Sequence, residues 1–528
     1  MTTPGAAPRR LRGHPWLTLG TLAVGAMMVS LDSTVVAVAQ PAMQDGLRAT
    51  IGDIQWVTAG YLLSLAALLV VAGKLGDRFG HRRVFLVGTA GFTVSSVAIG
   101  LSTHISWVIA LRVVQGVFGA LMQPPTLALL RVTFPADRLH LPIAIRSSAL
   151  GIATAAGPVV GGLLVEHFSW QSIFFLNVPI GVMAIGLGTV ILREARLDSA
   201  AKSSDPVAVV LLSAALLALL WGTVNAPDYG WADIRTWAAL AGAVVLGTGF
   251  CRWEARAREP LVPMSLFRSP RFSAGVMLML LVSFVMFGVP FVLTFFLQNM
   301  LGMSPMECGI HVLWLTLAMV VAGTATGLVM RRTGPRIPAV SGMAATTVAV
   351  FGLTHAVGTG PATGELRVWL VVLGLGFSSV IVATTHLIVG SAPLRHSGVA
   401  GGLQQTAMQV GGSLGTAVMG ALVAARVDQL LPRRLEGAQV RLSGPELGEA
   451  ARSVSLGGTP DTLAGSPRVA AELTRIGRDT FVDSLHLALV VSGGLAALGT
   501  AAAVVLLRRP ARTAEQESRM PAVAGNPQ

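Results

Sequence analysis

Long apolar runs recur from residue 16 to residue 507, each broken after about 20 residues by a short cluster of charge, glycine or proline. A helix needs about 20 apolar residues to cross a bilayer. Each run therefore predicts one crossing, with limits near 16–38, 54–72, 84–101, 105–127, 143–165, 173–192, 206–224, 236–252, 272–297, 308–330, 337–355, 367–390, 400–424 and 484–507. The expected class is an all-α polytopic membrane protein with about fourteen transmembrane helices. Three stretches lack the pattern: the tail 1–15, the segment 425–483 and the tail 508–528. The segment 425–483 reads as a polar surface loop with a short helix near Pro467 to Arg478, and the C-terminal tail reads as disordered.

A weak repeat divides the chain. Gly73, Arg78, Gly80 and Arg82 recur as Gly327, Arg332, Gly334 and Arg336, all at an offset of 254. Two related six-helix halves are a common transporter plan. On that plan residues 16–192 form one half and 272–507 the other, with 206–252 as two inserted helices between them.

Charge sets the orientation. Only 12% of the 528 residues are charged, and the net charge of +13 comes from cations clustered between the runs. Most of these cations fall in the turns that share a side with the N-terminus, while the short turns opposite hold only Arg48, Arg235 and Arg367. By the positive-inside rule both termini are cytoplasmic. A basic balance of this kind is not a nucleic-acid footprint. The N-terminal run after Arg9, Arg10 and Arg12 is too long for a signal peptide and reads as a retained first span. Cys251 and Cys308 fall at opposite membrane faces and should not pair.

Against this background a few residues carry chemistry. The stretch Gly73-Lys74-Leu75-Gly76-Asp77-Arg78-Phe79-Gly80-His81-Arg82-Arg83 packs four Lys and Arg residues and one carboxylate into one basic turn. Asp32 lies inside the first run, where a charge costs at least about 2.5–3.5 kcal/mol and is functional by default. Arg112, in the fourth run, lies at a similar depth and is its natural partner. A protonatable acid beside a fixed cation can load and release a proton when its surroundings change. Gly157-Pro158 and Gly161-Gly162 punctuate the fifth run, where proline kinks a helix and glycines allow close contact. Trp56, Tyr61, Gln115, Gln123, Asn177 and Gln298 are polar-tipped residues in spans and are candidates, with Asp32, for lining a substrate cavity. His311 and His386 read as ordinary polar residues near span ends.

Taken together, Leu31-Asp32-Ser33-Thr34, Gly73 to Arg83, Arg112-Val113-Val114-Gln115-Gly116, Gly157-Pro158-Val159-Val160-Gly161-Gly162 and Trp170 to Gly181 occur in order on spans of matching direction. The set resembles the fourteen-span drug:proton antiporter family of the major facilitator superfamily, over roughly residues 15–507. The resemblance implies the major facilitator fold. It implies that Asp77 caps a neighbouring helix and latches one state together with Gly73, Arg78, Gly80 and Arg82. It also implies that Asp32 and Arg112 couple transport to protons, and that Gly157, Pro158, Gly161 and Gly162 form the antiporter motif. The sequence departs from the family at Gln405 and Met408, where Asn and Arg are frequent, and it has no second embedded acid, Glu307 lying at a span edge. That leaves no evident means of recognising dications.

The leading expectation is proton-coupled efflux of hydrophobic drugs, antibiotics or similar natural products across the plasma membrane by a monomer. Export of an endogenous lipid or metabolite on the same fold is the alternative, and a non-transporting receptor or scaffold is a third reading. No nucleotide-binding Gly-x-x-x-x-Gly-Lys-Ser/Thr loop occurs, and no enzyme constellation is evident. No cofactor is expected beyond the proton as coupling ion. The expected partners are a lipophilic small molecule and the bilayer.

Overall fold

A computed structural model describes residues 12–507 except 50, 136–137, 195–204, 230–232, 258–259, 304, 359–362, 441 and 459–466. Both tails, with Arg9, Arg10 and the arginines from Arg508 onward, lie outside the described residues. Among the described residues there is no strand, and fourteen helices are long and apolar enough to cross a membrane. The chain is a multi-pass membrane protein.

The first half holds α1 (Pro15–Leu47), α2 (Ile51–Phe79), α3 (His81–Gly100), α4 (Ile105–Thr133) and α5 (His140–His167). Its sixth crossing is built from a short α6 (Ser172–Phe175) and α7 (Asn177–Ile191). Then come α8 (Pro206–Tyr229) and α9 (Ile234–Glu254), which pair with each other, α8 also packing on α2. The second half holds α10 (Pro270–Phe295), α11 (Pro305–Thr333), α12 (Arg336–Ala356), α13 (Thr363–Ser391), α14 (Ser397–Gly437), α15 (Gly444–Ser455) and α16 (Pro467–Leu506). An even number of crossings puts both ends of the described chain on one side, called here the terminal face. The opposite side is the distal face.

The spans fall where the apolar runs predict, with three revisions. First, α1 continues past the expected limit of 38 to Leu47, so Asp32 sits near mid-helix. Second, the basic turn Gly73–Arg83 is almost entirely helical. α2 runs to Phe79, α3 starts at His81, and only Gly80 lies between, at φ +98°. A side chain rarely tolerates that dihedral, so the tight reversal depends on glycine. Gly334 makes the same turn between α11 and α12 at φ +69°, which places the repeat's two glycines in matching turns.

Third, the segment 425–483 is mainly helix, not loop. α14 runs on to Gly437, α16 already begins at Pro467, and α15 lies between them. Val427, Leu431 and Leu435 repeat at i, i+4 on α14 and bury against Val454 of α15 and Leu473 and Ile476 of α16. α15 opens with a reciprocal cap in which Ser443 N–H donates to Glu446 at 2.7 Å. That hydrogen bond holds the Glu446 carboxyl below its ordinary pKa. Arg434 pairs with Asp483, and Arg475 with Glu472 at 2.6 Å. The result is a small helical cap on the distal face.

The halves meet near the terminal face through two helix pairs. Between α2 and α14, a Cβ on Gly73 would come within 2.2 Å of the Gly398 carbonyl oxygen. Between α5 and α11, Ser148 Oγ donates to the Val320 carbonyl at 3.0 Å, and Gly327 abuts Ala144. Close backbone approach of this kind is what glycine permits in a bundle. The two halves are thus closed at the terminal face.

Candidate functional site

Asp32 lies inside the first half and is 3% exposed. One carboxylate oxygen accepts from Arg112 at 2.6 Å. The other accepts from Asn177 Nδ2 at 2.8 Å and Gln115 Nε2 at 3.3 Å. Ser96 Oγ accepts from both amides and ties them to α3. Arg112 also donates to the Val57 carbonyl and to Gln115 Oε1, and its guanidinium lies 4.1 Å from the Tyr61 ring centroid. All these groups belong to α1, α2, α3, α4 and α7. Three donors converge on one carboxylate at membrane depth, where a buried acid needs such partners. Protonating Asp32 would remove the charge that holds Arg112 and break the arrangement.

Asp77 sits at the junction of the halves. Its two carboxylate oxygens accept from Gly398 N–H at 2.9 Å and Val399 N–H at 3.2 Å, the first turn of α14. An anion at a helix N-terminus is favoured by both hydrogen bonding and dipole. His81 Nε2 lies 3.2 Å from the same carboxylate. Arg82 donates to the carbonyls of Gly188 and Thr189 at the end of α7, where a cation is favoured, and Arg78 stacks on Phe79. In the second half Arg331 occupies the position equivalent to Asp77, so this contact is made by the first half alone.

Above the closed terminal side lies a cavity of about 800 Å³ between the halves. Its lining runs from Arg146 and Gln405 on the terminal side to Gln40, Gln55 and Trp56 near the distal ends of α1 and α2. Trp56 and Gln123 therefore occupy the expected place. Asp32, Tyr61, Gln115 and Asn177 do not line it, being engaged in the buried network behind α1, whose Val29, Ser30, Ser33 and Thr34 form the wall. Gln298 is also off the lining, with its amide on the Cys308 thiol. Cys251 and Cys308 are free.

α5 packs on α1 through two of the four motif positions. A Cβ on Gly157 would fall 1.9 Å from Thr34 Oγ1, and one on Gly161 3.1 Å from the Val35 carbonyl. Gly162 faces open space, and the helix continues through Pro158.

This arrangement of two closed half-bundles around a cavity has known counterparts. Residues 22–416 match the family model described as Major Facilitator Superfamily. The chain belongs to the Major Facilitator Superfamily. This facilitator is 48% identical over 507 residues to the tetracenomycin C resistance and export protein of Streptomyces glaucescens, covering 96% of this chain and 94% of that one. It is 31% identical over 495 residues to the multidrug efflux pump LfrA of Mycolicibacterium smegmatis, covering 93% and 94%. Among solved structures it shares the fold of a double-tryptophan mutant of XylE, with a TM-score of 0.61, 11% identity and coverage of 96% and 98%. The human organic anion transporter MFSD10 gives a TM-score of 0.60 at 13% identity, covering 94% and 100%. Likenesses at that identity speak for the fold alone.

Sequence reading passed over Arg146 and Glu254 in this facilitator, and the long-range partner of Lys74. Arg146 is 3% exposed yet lines the cavity. In sequence it is one more arginine near a cation-rich face. Lys74 donates to the Pro260 carbonyl at 3.0 Å, and Glu254 accepts from Leu261 and Val262 N–H, so the strand of chain after α9 is tied to the end of α2. Nothing in local composition marks those long-range contacts.

Proposed function

We propose that this facilitator expels lipophilic antibiotics or related natural products from the cytoplasm as a monomer in the plasma membrane, in exchange for protons carried by Asp32. The terminal face is then cytoplasmic, in keeping with its arginines. The observation that carries the reading is the position of Asp32: held in a closed cluster with Arg112, on the reverse of the helix whose Ser33 and Thr34 form the cavity wall. Substrate and proton need not touch. A change in the cluster moves α1, and α1 is part of the cavity. The full-length similarity to named export and efflux proteins supports the direction.

The test is uphill uptake of a fluorescent drug into inverted vesicles energised by a proton gradient. Uptake should collapse with an uncoupler and be absent for Asp32→Asn. Uncoupler-insensitive uptake, or wild-type uptake by Asp32→Asn, would refute the coupling.

A further inference from the structure

Arg112 and Arg146 are both buried in the transmembrane part of the first half, at 0% and 3% exposure. Arg112 has Asp32. Arg146 has no carboxylate at ion-pair distance among the described residues. Its Nε donates to Thr126 Oγ1 at 3.0 Å and one Nη to Gln123 Oε1 at 2.8 Å. Neutral partners satisfy hydrogen bonds but leave the charge uncompensated, and a cation at membrane depth is costly unless something cancels it. Arg146 lines the cavity, and it is the only charged residue among the described lining. Elsewhere on the lining, Gln404 Oε1 is buried without a partner.

The rest of the lining complements that charge. Gln55, Gln123, Gln405 and Gln409 offer amides to hydroxyl and carbonyl oxygens, while Trp56 and Phe287 offer flat apolar faces. No Asp or Glu among the described lining would attract a cation. We propose that the cavity binds a flat aromatic compound carrying one negative charge, with its charged oxygen on the Arg146 guanidinium.

The site also touches the gate. Gln123 Oε1 accepts both from Arg146 and, at 3.1 Å, from Gln405 Nε2 of α14. A ligand oxygen on the guanidinium would therefore sit next to the one side chain, Gln123, that also accepts from the opposite half. The identity of the transported species rests on the export reading, but binding itself can be measured without transport.

The experiment uses the full chain in lipid nanodiscs and equilibrium dialysis of three coloured or fluorescent probes: 1,2-dihydroxyanthraquinone above its ionisation, its dimethyl ether, and ethidium. Arg146→Gln should weaken the ionised probe by about tenfold or more, the loss of one charge-assisted hydrogen bond, change the neutral ether less than about twofold, and leave ethidium no weaker. Arg146→Lys should keep much of the affinity. Equal weakening of all three probes, or tighter wild-type binding of ethidium than of the anion, overturns the proposal. If Arg146→Gln does not fold, wild-type affinity across the probe's own titration decides. Affinity that fails to rise as the probe ionises overturns the proposal. Uphill efflux of the ionised probe that ignores Arg146 would overturn this site and leave export standing. Arg146-dependent binding with no uphill movement of any probe would leave the site standing without export.

Discussion

Asp77→Asn isolates the charge at the junction of the halves. The substitution keeps the size of the side chain and one acceptor oxygen. It removes the anion from the α14 N-terminus and turns an amide donor toward one of the two N–H groups that Asp77 now accepts, Gly398 or Val399. One charge-assisted hydrogen bond contributes about 1.5–3 kcal/mol, and the helix dipole about 0.3–1 kcal/mol. A working loss of about 2 kcal/mol is roughly thirtyfold in an equilibrium. If the closed terminal face is populated at roughly 99:1, the variant should fall to about 3:1. The contact bridges the two halves, so opening the terminal face must break it, and the loss acts on the balance and not on both states alike. The assay is a spin-label distance across the terminal face between Val132→Cys on α4 and Ile337→Cys on α12, 39% and 52% exposed. The background would be Cys251→Ser, Cys308→Ala. A second, longer distance should appear in Asp77→Asn and transport should fall, with the protein still inserted. An unchanged distance distribution together with wild-type turnover would refute the latch.

Gly73→Ala should open the same face, because its Cβ meets a backbone oxygen at 2.2 Å that cannot rotate away; the same spin-label pair reads it. Gly157→Ala should impair drug efflux, its Cβ colliding with Thr34 at 1.9 Å, whereas Gly162→Ala, with nothing within 4 Å, should retain it in the vesicle assay. Asp32→Asn should lower thermal stability as well as coupling, since breaking a buried pair costs about 3–5 kcal/mol. Asp32→Asn with Arg112→Gln should recover much of the melting temperature and none of the proton coupling. Recovery of coupling by the double variant would place the proton carrier elsewhere.

Much of this architecture is legible in the sequence because lipid imposes a simple rule: an apolar run of sufficient length crosses. Asp32 and Arg112 stood out because a charge in such a run is rare, and their partnership followed from depth alone. The faces of the helices were not legible. In an apolar bundle no polar stripe distinguishes the side of α1 toward the cavity from the side toward α4. Tyr61, Gln115 and Asn177 therefore read as lining residues although Gln115 and Asn177 turn to Asp32 and Tyr61 to Arg112. The distal cap was missed for the opposite reason. Its helices are amphipathic and short of apolar residues overall, so Leu431, Leu435 and Val454 were diluted among charges and glycines. Arg146 was hidden by its neighbourhood of topological arginines.

The continuity of α14 has a mechanical consequence. Its 41 residues amount to about 60 Å of a single helix, roughly twice the thickness of the hydrocarbon it crosses. Its first turn is the one held by Asp77 at the terminal face, and its far end is clasped by α15 and α16 beyond the opposite surface. Tilting such a beam about the bilayer centre displaces its two tips in opposite directions. A molecule that gripped the cap on the distal face would thus reach through the membrane, steering the seal at the terminal face without entering the cavity.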